Sequence, residues 1–467
     1  MIPARGIALL DELPDAIVRT RPEDLQPHLT GWRGLKQGRA IALLLPRGTA
    51  EVQQIVGWAR RHGVSIVPQG GNTGLVGGGI PESAAERPAV VLSLRRMQRI
   101  LAVDAASLSL VAEAGAVLAD VHDAASAAGC RFPLSLASRG SATLGGLVST
   151  NAGGVQVLRH GPMRSLVLGL EAVLADGQIL DQLSALRKDN TGYDIKQLLI
   201  GAEGTLGVVT RVALKLAPAL GQVATAWAVL SSADAALAVL HRLRAGCGEH
   251  VESFELLSPE AIATVAEQLP DIRLPLATRN RFQLLIEAEI PQGRLQELLL
   301  AAMEAGEVED AVFAASQQQA EALWAVRENV PMAERLEGPA IKNDIAVPVE
   351  QVTRFHQAAM QLFGRILPDA RPIVFGHLGD GNLHWNIRPP TGAEAGPWLQ
   401  THETMARRAL HDLVAQFAGS ISAEHGIGTL KAAEFARLGD PGKIFAMRAI
   451  KRALDPADIL NPGKLFV

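Results

Sequence analysis

Three histidines and one carboxylate, His377, His384, Glu424 and His425, stand in two short motifs, FGHLGDGNLHWNI at 375–387 and SAEHGIG at 422–428. Imidazole nitrogen and carboxylate oxygen are the donors that a borderline cation such as zinc takes, and a catalytic site keeps one position open. The grouping points to one metal site. The bland alternative is that each is a turn residue or a satisfied core histidine. A hairpin must position the first two: 373–377, Asp380-Gly381 and 383–387 read as two strands around a short glycine connection. Strand alternation then puts His384 and Asn386 on one face and Trp385 and Ile387 on the other. One face is free for chemistry and the other anchors in a core.

The rest of the chain sets the frame. Its 467 residues exceed one ordinary core and imply two or three domains. With 48% hydrophobic and 20% charged residues it reads as a soluble globular protein. Lys and Arg (44) nearly balance Asp and Glu (48), and there is no basic block, which argues against a nucleic-acid partner. Cys130 and Cys247 are too few for a disulfide framework and suit a reducing compartment. The N-terminus, MIPARGIALLDELPDAIV, lacks the hydrophobic region of a signal peptide, and no apolar run reaches the length of a membrane span. The expectation is a cytoplasmic protein, with peripheral membrane docking left open.

Glycine organises the first half. A helix at 50–62 ends at Gly63, a C-terminal cap, and a strand at 64–68 opens into QGGNTGLVGGG. Such a loop lets backbone N–H groups converge on an anion, as a pyrophosphate cradle requires. It matches neither the Walker loop nor G-x-G-x-x-G, and an unliganded surface loop is the alternative. SRGSATLGGLVSTNAGG at 138–154 and GAEGTLG at 201–207 follow, each set between strand-like runs. Between them, 168–175, Asp176-Gly177 and 178–180 read as a hairpin, which favours an α+β arrangement over a purely parallel sheet. Later helices are expected at 231–245 (capped by Gly246), 350–366 and 397–418, with a boundary at Pro218–Gly221.

Taken in order, PQGGNTGLVGGG, SRGSATLGGLVSTNAGG, KDNTGYDIKQLLIGAEGTLGVVT, GHLGDGNLHWN, SAEHGIG and DPADILNPGKLF resemble the signatures of the flavin-dependent D-2-hydroxyacid dehydrogenases of the vanillyl-alcohol-oxidase type. That group includes D-lactate and D-2-hydroxyglutarate dehydrogenases and the glycolate oxidase flavin subunit. The resemblance implies an FAD-binding domain of two α+β subdomains over 1–218. A substrate domain with a ferredoxin-like antiparallel sheet would occupy 219–454, and a tail at 455–467 would return to the FAD site. Carried over by motif, the FAD contacts are Pro68, Gly70, Gly71, Asn72, Thr73 and Gly74; Ser138, Ser141, Ala142, Gly145, Gly146, Asn151, Ala152, Gly153 and Gly154; Glu203, Gly204, Gly207 and Val208; and Asn461. No His or Cys lies in QGGNTGLVGGG, so the FAD is expected to be non-covalent. Tyr193 lies beside this site, as a buried aromatic or a ligand contact.

The implied reaction oxidises a D-2-hydroxy acid, D-2-hydroxyglutarate or D-lactate, to the 2-oxo acid, with hydride passing from C2 to flavin N5. His425 is the expected base, since imidazole titrates near working pH. A divalent metal (Zn, or else Mn or Fe) on His377, His384 and Glu424 would lower the hydroxyl pKa. Arg327 and Lys342 would meet carboxylate, the arginine through a two-pronged grip, and Asn386 would hold the same substrate. The alternative for Arg327 is a surface helix residue paired with Glu321 or Glu328. Pro331 stands where relatives directed at 2-hydroxyglutarate tend to have a hydroxyl residue, which leaves the distal contact open. Two other readings remain: the flavin subunit of a glycolate-oxidase-like complex, and a metal-dependent hydrolase. The expected partners are an electron-transfer flavoprotein, a quinone or a cytochrome as electron acceptor, with a homodimer as the assembly.

Overall fold

The computed structural model describes residues 9–466 apart from 33, 35 and 83–86. The first eight residues of the N-terminal stretch read above lie outside it. The chain forms two compact units: one of Met1–Gly154, His160–Ala219 and Glu424–Val467, the other of Val155–Arg159 and Leu220–Ala423. The division after Ala219 falls where Pro218–Gly221 suggested. At the C-terminal end the chain rejoins the first unit from Glu424, well before the 455–467 tail expected.

In the first unit, β1 (Val18–Arg19), β2 (Ala42–Leu44), β3 (Ser65–Gln69) and β4 (Ala89–Ser93) make a sheet of order β1-β2-β4-β3, parallel except for β1. The helix Thr49–His62 connects β2 to β3 and turns sharply at Gly63, whose φ of 62° is left-handed. Five further strands are β5 (Ile100–Asp104), β6 (Ser109–Glu113), β8 (Val167–Val173), β9 (Ile179–Gln182) and β10 (Val208–Lys215). They form an antiparallel sheet of order β5-β6-β10-β8-β9 that includes the expected hairpin β8–β9. A small pair joins β7 (Cys130–Arg131) to β11 (Ala217–Pro218). One apolar core, with Trp58, Ile66, Leu110, Leu144 and Leu214 fully buried, underlies these sheets.

The second unit is one seven-stranded antiparallel sheet. Its strands are β12 (Ala224–Leu230), β13 (Val251–Leu257), β14 (Gln283–Ala288), β15 (Val308–Phe313), β16 (Ile345–Ala346), β17 (Arg371–His377) and β18 (Asn382–Arg388), in order β15-β12-β14-β13-β17-β18-β16. The first four of these stand in the spatial order fourth, first, third, second, with helices Ala235–Cys247 and Gln292–Glu304 as crossovers: the ferredoxin-like arrangement. The hairpin β17–β18 adds to the β13 edge, with Glu255 opposite His377 and Phe375 opposite His384. Alternation sorts its side chains as the sequence implied. Leu383, Trp385 and Ile387 enter one core, while Ile373 and Phe375 enter the core on the other face.

Three local expectations change. Helix Ala235–Cys247 runs through Gly246 and ends at Gly248, whose φ is 61°. Gly246 is instead a close-approach residue, since a Cβ there would stand 2.5 Å from Leu298. The stretch 138–154 is not a loop throughout, because Leu144–Thr150 is helical with Leu144, Leu147 and Val148 buried, and a short helix, Lys196–Leu199, precedes 201–207. Tyr193 is 91% exposed, which rules out the buried-aromatic reading.

Candidate active site

In the first unit the three glycine-rich stretches lie against one another. A Cβ on Gly71 would sit 1.8 Å from the Ser141 carbonyl oxygen, and one on Gly70 would sit 2.3 Å from Thr143 Oγ1. Gly204, with φ of 72°, packs on Pro68, and a Cβ on Gly154 would meet the Ser135 carbonyl at 2.4 Å. The C-terminal segment closes the group: Leu460 bridges Ile66 of β3, and Asn461 Nδ2 donates to the carbonyls of Gly78 (2.9 Å) and Glu203 (2.6 Å). Two buried acceptors here, Thr143 Oγ1 and Asn461 Oδ1, have no hydrogen-bond partner among the described residues. Buried polar atoms are rarely left so without a ligand or water to meet them. A backbone-lined cradle with unsatisfied polar atoms fits a dinucleotide.

Several residues carried over as cofactor contacts have other partners. Asn72, at φ of 53°, turns its Nδ2 to the carbonyls of Pro27 and Thr30. Gly145 lets its helix approach Ala114, where a Cβ would stand 2.9 Å away. Asn151 caps the helix Leu144–Thr150 at φ of 49° and accepts from the Arg164 N–H at 2.8 Å. Gly207 packs on Leu199 and Leu174, and Val208 starts β10. Glu203 directs its carboxylate to the N–H groups of Ile427 and Gly428. The loop carrying Glu424 and His425 therefore belongs to the same unit as the glycine cradle. Gly74 and Gly146 remain open or lightly packed, and Ala142 and Ala152 are buried.

In the second unit the polar face of the hairpin is organised by a residue the sequence reading missed. Glu255 on β13 is fully buried; its Oε1 lies 2.5 Å from His377 Nδ1 and its Oε2 accepts from Arg327 Nε at 2.7 Å. Burial pushes the Glu255 carboxyl up, but the charges of His377 and Arg327 and their hydrogen bonds outweigh it and hold it at about 2. An Nδ1–H given to a carboxylate fixes the tautomer whose Nε2 carries the lone pair, the form in which histidine ligates a metal. The His384 ring lies 6.3 Å from that of His377 and 4.9 Å from Phe375. Arg327 is thus buried, not on the surface, and pairs with neither Glu321 nor Glu328. Its guanidinium stands 5.0 Å from the centre of Phe375, and among the described residues it donates a hydrogen bond through Nε.

A second buried carboxylate, Glu334, gathers the other expected substrate groups. Lys342 Nζ lies 2.6 Å from its Oε2, and Asn386 Nδ2 donates to both oxygens at 3.2 and 2.9 Å. Asn386 Oδ1 accepts from the Asn343 N–H, so both ends of this side chain are engaged. Pro331 opens the helix Val330–Glu337, where a missing N–H costs nothing. Asn382, between the two histidines in sequence, donates to Asp344 at 2.9 Å. The only sign of Glu255 in the sequence is a carboxylate between Phe254 and Leu256 in VESFELL, a strand that also carries Glu252 and Ser253.

Residues 40–182 match a family described as FAD binding domain, and residues 221–465 match FAD linked oxidases, C-terminal domain. The chain belongs to the FAD linked oxidases. It is similar to "D-2-hydroxyglutarate dehydrogenase, mitochondrial" of Arabidopsis thaliana, 38% identical over 95% of this chain and 78% of that one. It is likewise similar to "D-2-hydroxyglutarate dehydrogenase" of Xanthomonas citri pv. viticola, 34% identical over 100% of this chain and 98% of that one. In fold it matches p-cresol methylhydroxylase at a TM-score of 0.76, covering 99% and 96% of the two chains at 16% identity. This FAD linked oxidase is an FAD-dependent oxidoreductase of vanillyl-alcohol-oxidase fold, and the hydrolase alternative is not favoured. Among its described residues no helix is long and apolar enough to cross a membrane.

Proposed function

We propose that this chain oxidises D-2-hydroxyglutarate to the corresponding 2-oxo acid. The similarity to relatives named for that substrate, over nearly the whole length of both chains in one case, carries the reading. Bound FAD supplies the two-electron acceptor. His425 takes the hydroxyl proton. Arg327 presents its outer guanidinium nitrogens to a substrate carboxylate while Glu255 holds its Nε. Lys342 serves a carboxylate as well, oriented by Glu334 together with Asn386.

The motifs that carry His377, His384 and Glu424 supply two ring nitrogens and a carboxylate oxygen, the donor set of a divalent cation, with zinc first and manganese or iron as alternatives. The Glu255–His377 pair supports this, because ligating histidines are ordinarily oriented by such a carboxylate. A cation held by these residues would lower the pKa of a bound hydroxyl. D-lactate is the second reading, favoured by Pro331 and by the neutralisation of Lys342 by Glu334. Transfer of electrons to an electron-transfer flavoprotein, quinone or cytochrome, a homodimeric state and a cytoplasmic location complete the proposal.

The test uses the purified chain with an artificial dye as acceptor. D-2-hydroxyglutarate should bleach the flavin and its L-enantiomer should not. Dialysis against EDTA should abolish turnover with full flavin retained, and zinc or manganese should restore it. Undiminished turnover in metal-free protein would remove the cation from the mechanism; bleaching by D-lactate alone would move the substrate.

A further inference from the structure

Glu203 places its carboxyl group where burial works against ionisation. It is 7% exposed and adopts a left-handed φ of 52° in the 201–207 stretch. Burial pushes its carboxyl above the usual range; the N–H groups of Ile427 and Gly428 and the charges of Lys464 and Lys431 oppose this. A buried carboxyl group is costly unless its oxygens are met, so its partners matter.

Those partners lie in the loop that carries His425. Oε1 accepts from the Ile427 N–H at 2.7 Å and Oε2 from the Gly428 N–H at 2.8 Å. The fit is close on two sides: a Cβ on Gly426 would stand 2.8 Å from Oε1, and one on Gly78 would stand 3.1 Å from Oε2. Gly426 and Gly428 have φ of 79° and 53°, so this path is one that glycine alone takes at little cost. Immediately downstream, the N–H groups of Thr429 and Leu430 donate to the Val76 carbonyl at 3.0 and 3.2 Å. Glu203 is itself fixed, its N–H donating to the Ser149 carbonyl at 2.7 Å and its carbonyl accepting from Asn461 Nδ2. The backbone after His425 is therefore held at four successive N–H groups, and the first two belong to one carboxylate.

The geometry points to Glu203 as a positioning residue that clamps the amides of Ile427 and Gly428 and so fixes the stance of His425, instead of touching the flavin. The inference rests on the reading of His425 as the base. Two converging N–H donors need two acceptors. A carboxylate supplies both, whereas a carboxamide of the same shape offers one and turns an NH2 toward the other donor.

The experiment compares Glu203→Gln with His425→Asn, both as full-length holoenzyme with D-2-hydroxyglutarate and a dye acceptor. Glu203→Gln should retain stoichiometric flavin, keep KM within about twofold, and lose about tenfold or more in kcat, as a misplaced base would. The kinetic isotope effect with C2-deuterated substrate should rise, a change that a loosened fold alone does not produce. A wild-type kcat with full flavin overturns the clamp. So does loss of flavin with a normal kcat per bound flavin, which marks a cofactor contact. If Glu203→Gln does not fold, Gly426→Ala sets a methyl against Oε1 and must give the same signature; wild-type kcat there overturns the clamp too. A normal kcat in His425→Asn beside a low one in Glu203→Gln removes the base and leaves the clamp, and the reverse pattern removes the clamp alone.

Discussion

Glu255 and His377 face each other on adjacent strands, and their side chains meet at 2.5 Å with Arg327 on the carboxylate's other oxygen. A carboxyl held at about 2 in the fold, against 4.5 ordinarily, favours the folded state above its unfolded pKa. That contribution, on the order of 3 kcal/mol, is lost as pH falls toward 2. Urea unfolding between pH 4.5 and 2 should show a steep loss of stability in the wild type and a shallower one in Glu255→Gln. Equal slopes would mean that this carboxyl is not depressed.

Gly71 and Gly74 should separate packing from ligand contact. Gly71→Ala drives a methyl into the Ser141 carbonyl and should lower both thermal stability and flavin content. A Cβ on Gly74 meets nothing within 4 Å, so Gly74→Ala should melt like the wild type. Any flavin that Gly74→Ala loses then reports the cofactor directly. Unchanged melting in Gly71→Ala would refute the close approach of the two loops.

Arg327→Lys keeps the charge but cannot give Glu255 an Nε–H while offering a second pair of donors outward. KM should rise about tenfold or more with a smaller effect on kcat, since the contact is made in ground and transition states alike. The measurement is run on D-lactate and D-2-hydroxyglutarate. Equal losses assign the grip to the carboxylate next to the reacting carbon; a loss confined to the larger substrate assigns it to the distal one. Wild-type KM for both would release Arg327 from the site.

Asp455, 2% exposed, accepts from the N–H groups of Ile459 and Leu460 and pairs with Lys451. Asp455→Ala leaves these donors unmet and should destabilise the first unit by on the order of 2 kcal/mol. Hydrogen exchange at Asn461, whose N–H donates to the Ile66 carbonyl, should quicken first. Unaltered protection there would show that the turn holds without the carboxylate.

What the sequence made legible was local. Alternation through 373–387 with Asp380-Gly381 between reveals β17–β18, and Gly63 after an amphipathic run reveals the end of Thr49–His62. What stayed hidden is non-local. Glu255 meets a histidine 122 positions away, and Glu203 meets amides 224 and 225 positions away, with no periodicity to announce either. Gly246 misled for a related reason. A glycine after a helical run reads as a cap, but here it admits Leu298 from another helix. The helix inside 138–154 is legible in principle, since Leu144, Leu147 and Val148 keep helical spacing among the glycines.

The bridge between Ile66 and Leu460 has a consequence for biosynthesis. β3 is the outer strand of its sheet, so one row of its backbone groups stays uncovered until residues 459–461 have left the ribosome. The nascent first unit must wait through translation of the whole second unit with that edge available to any passing strand. Chaperone demand should therefore track the pause before Glu424, and slow codons in the intervening segment should cost yield without changing a single residue.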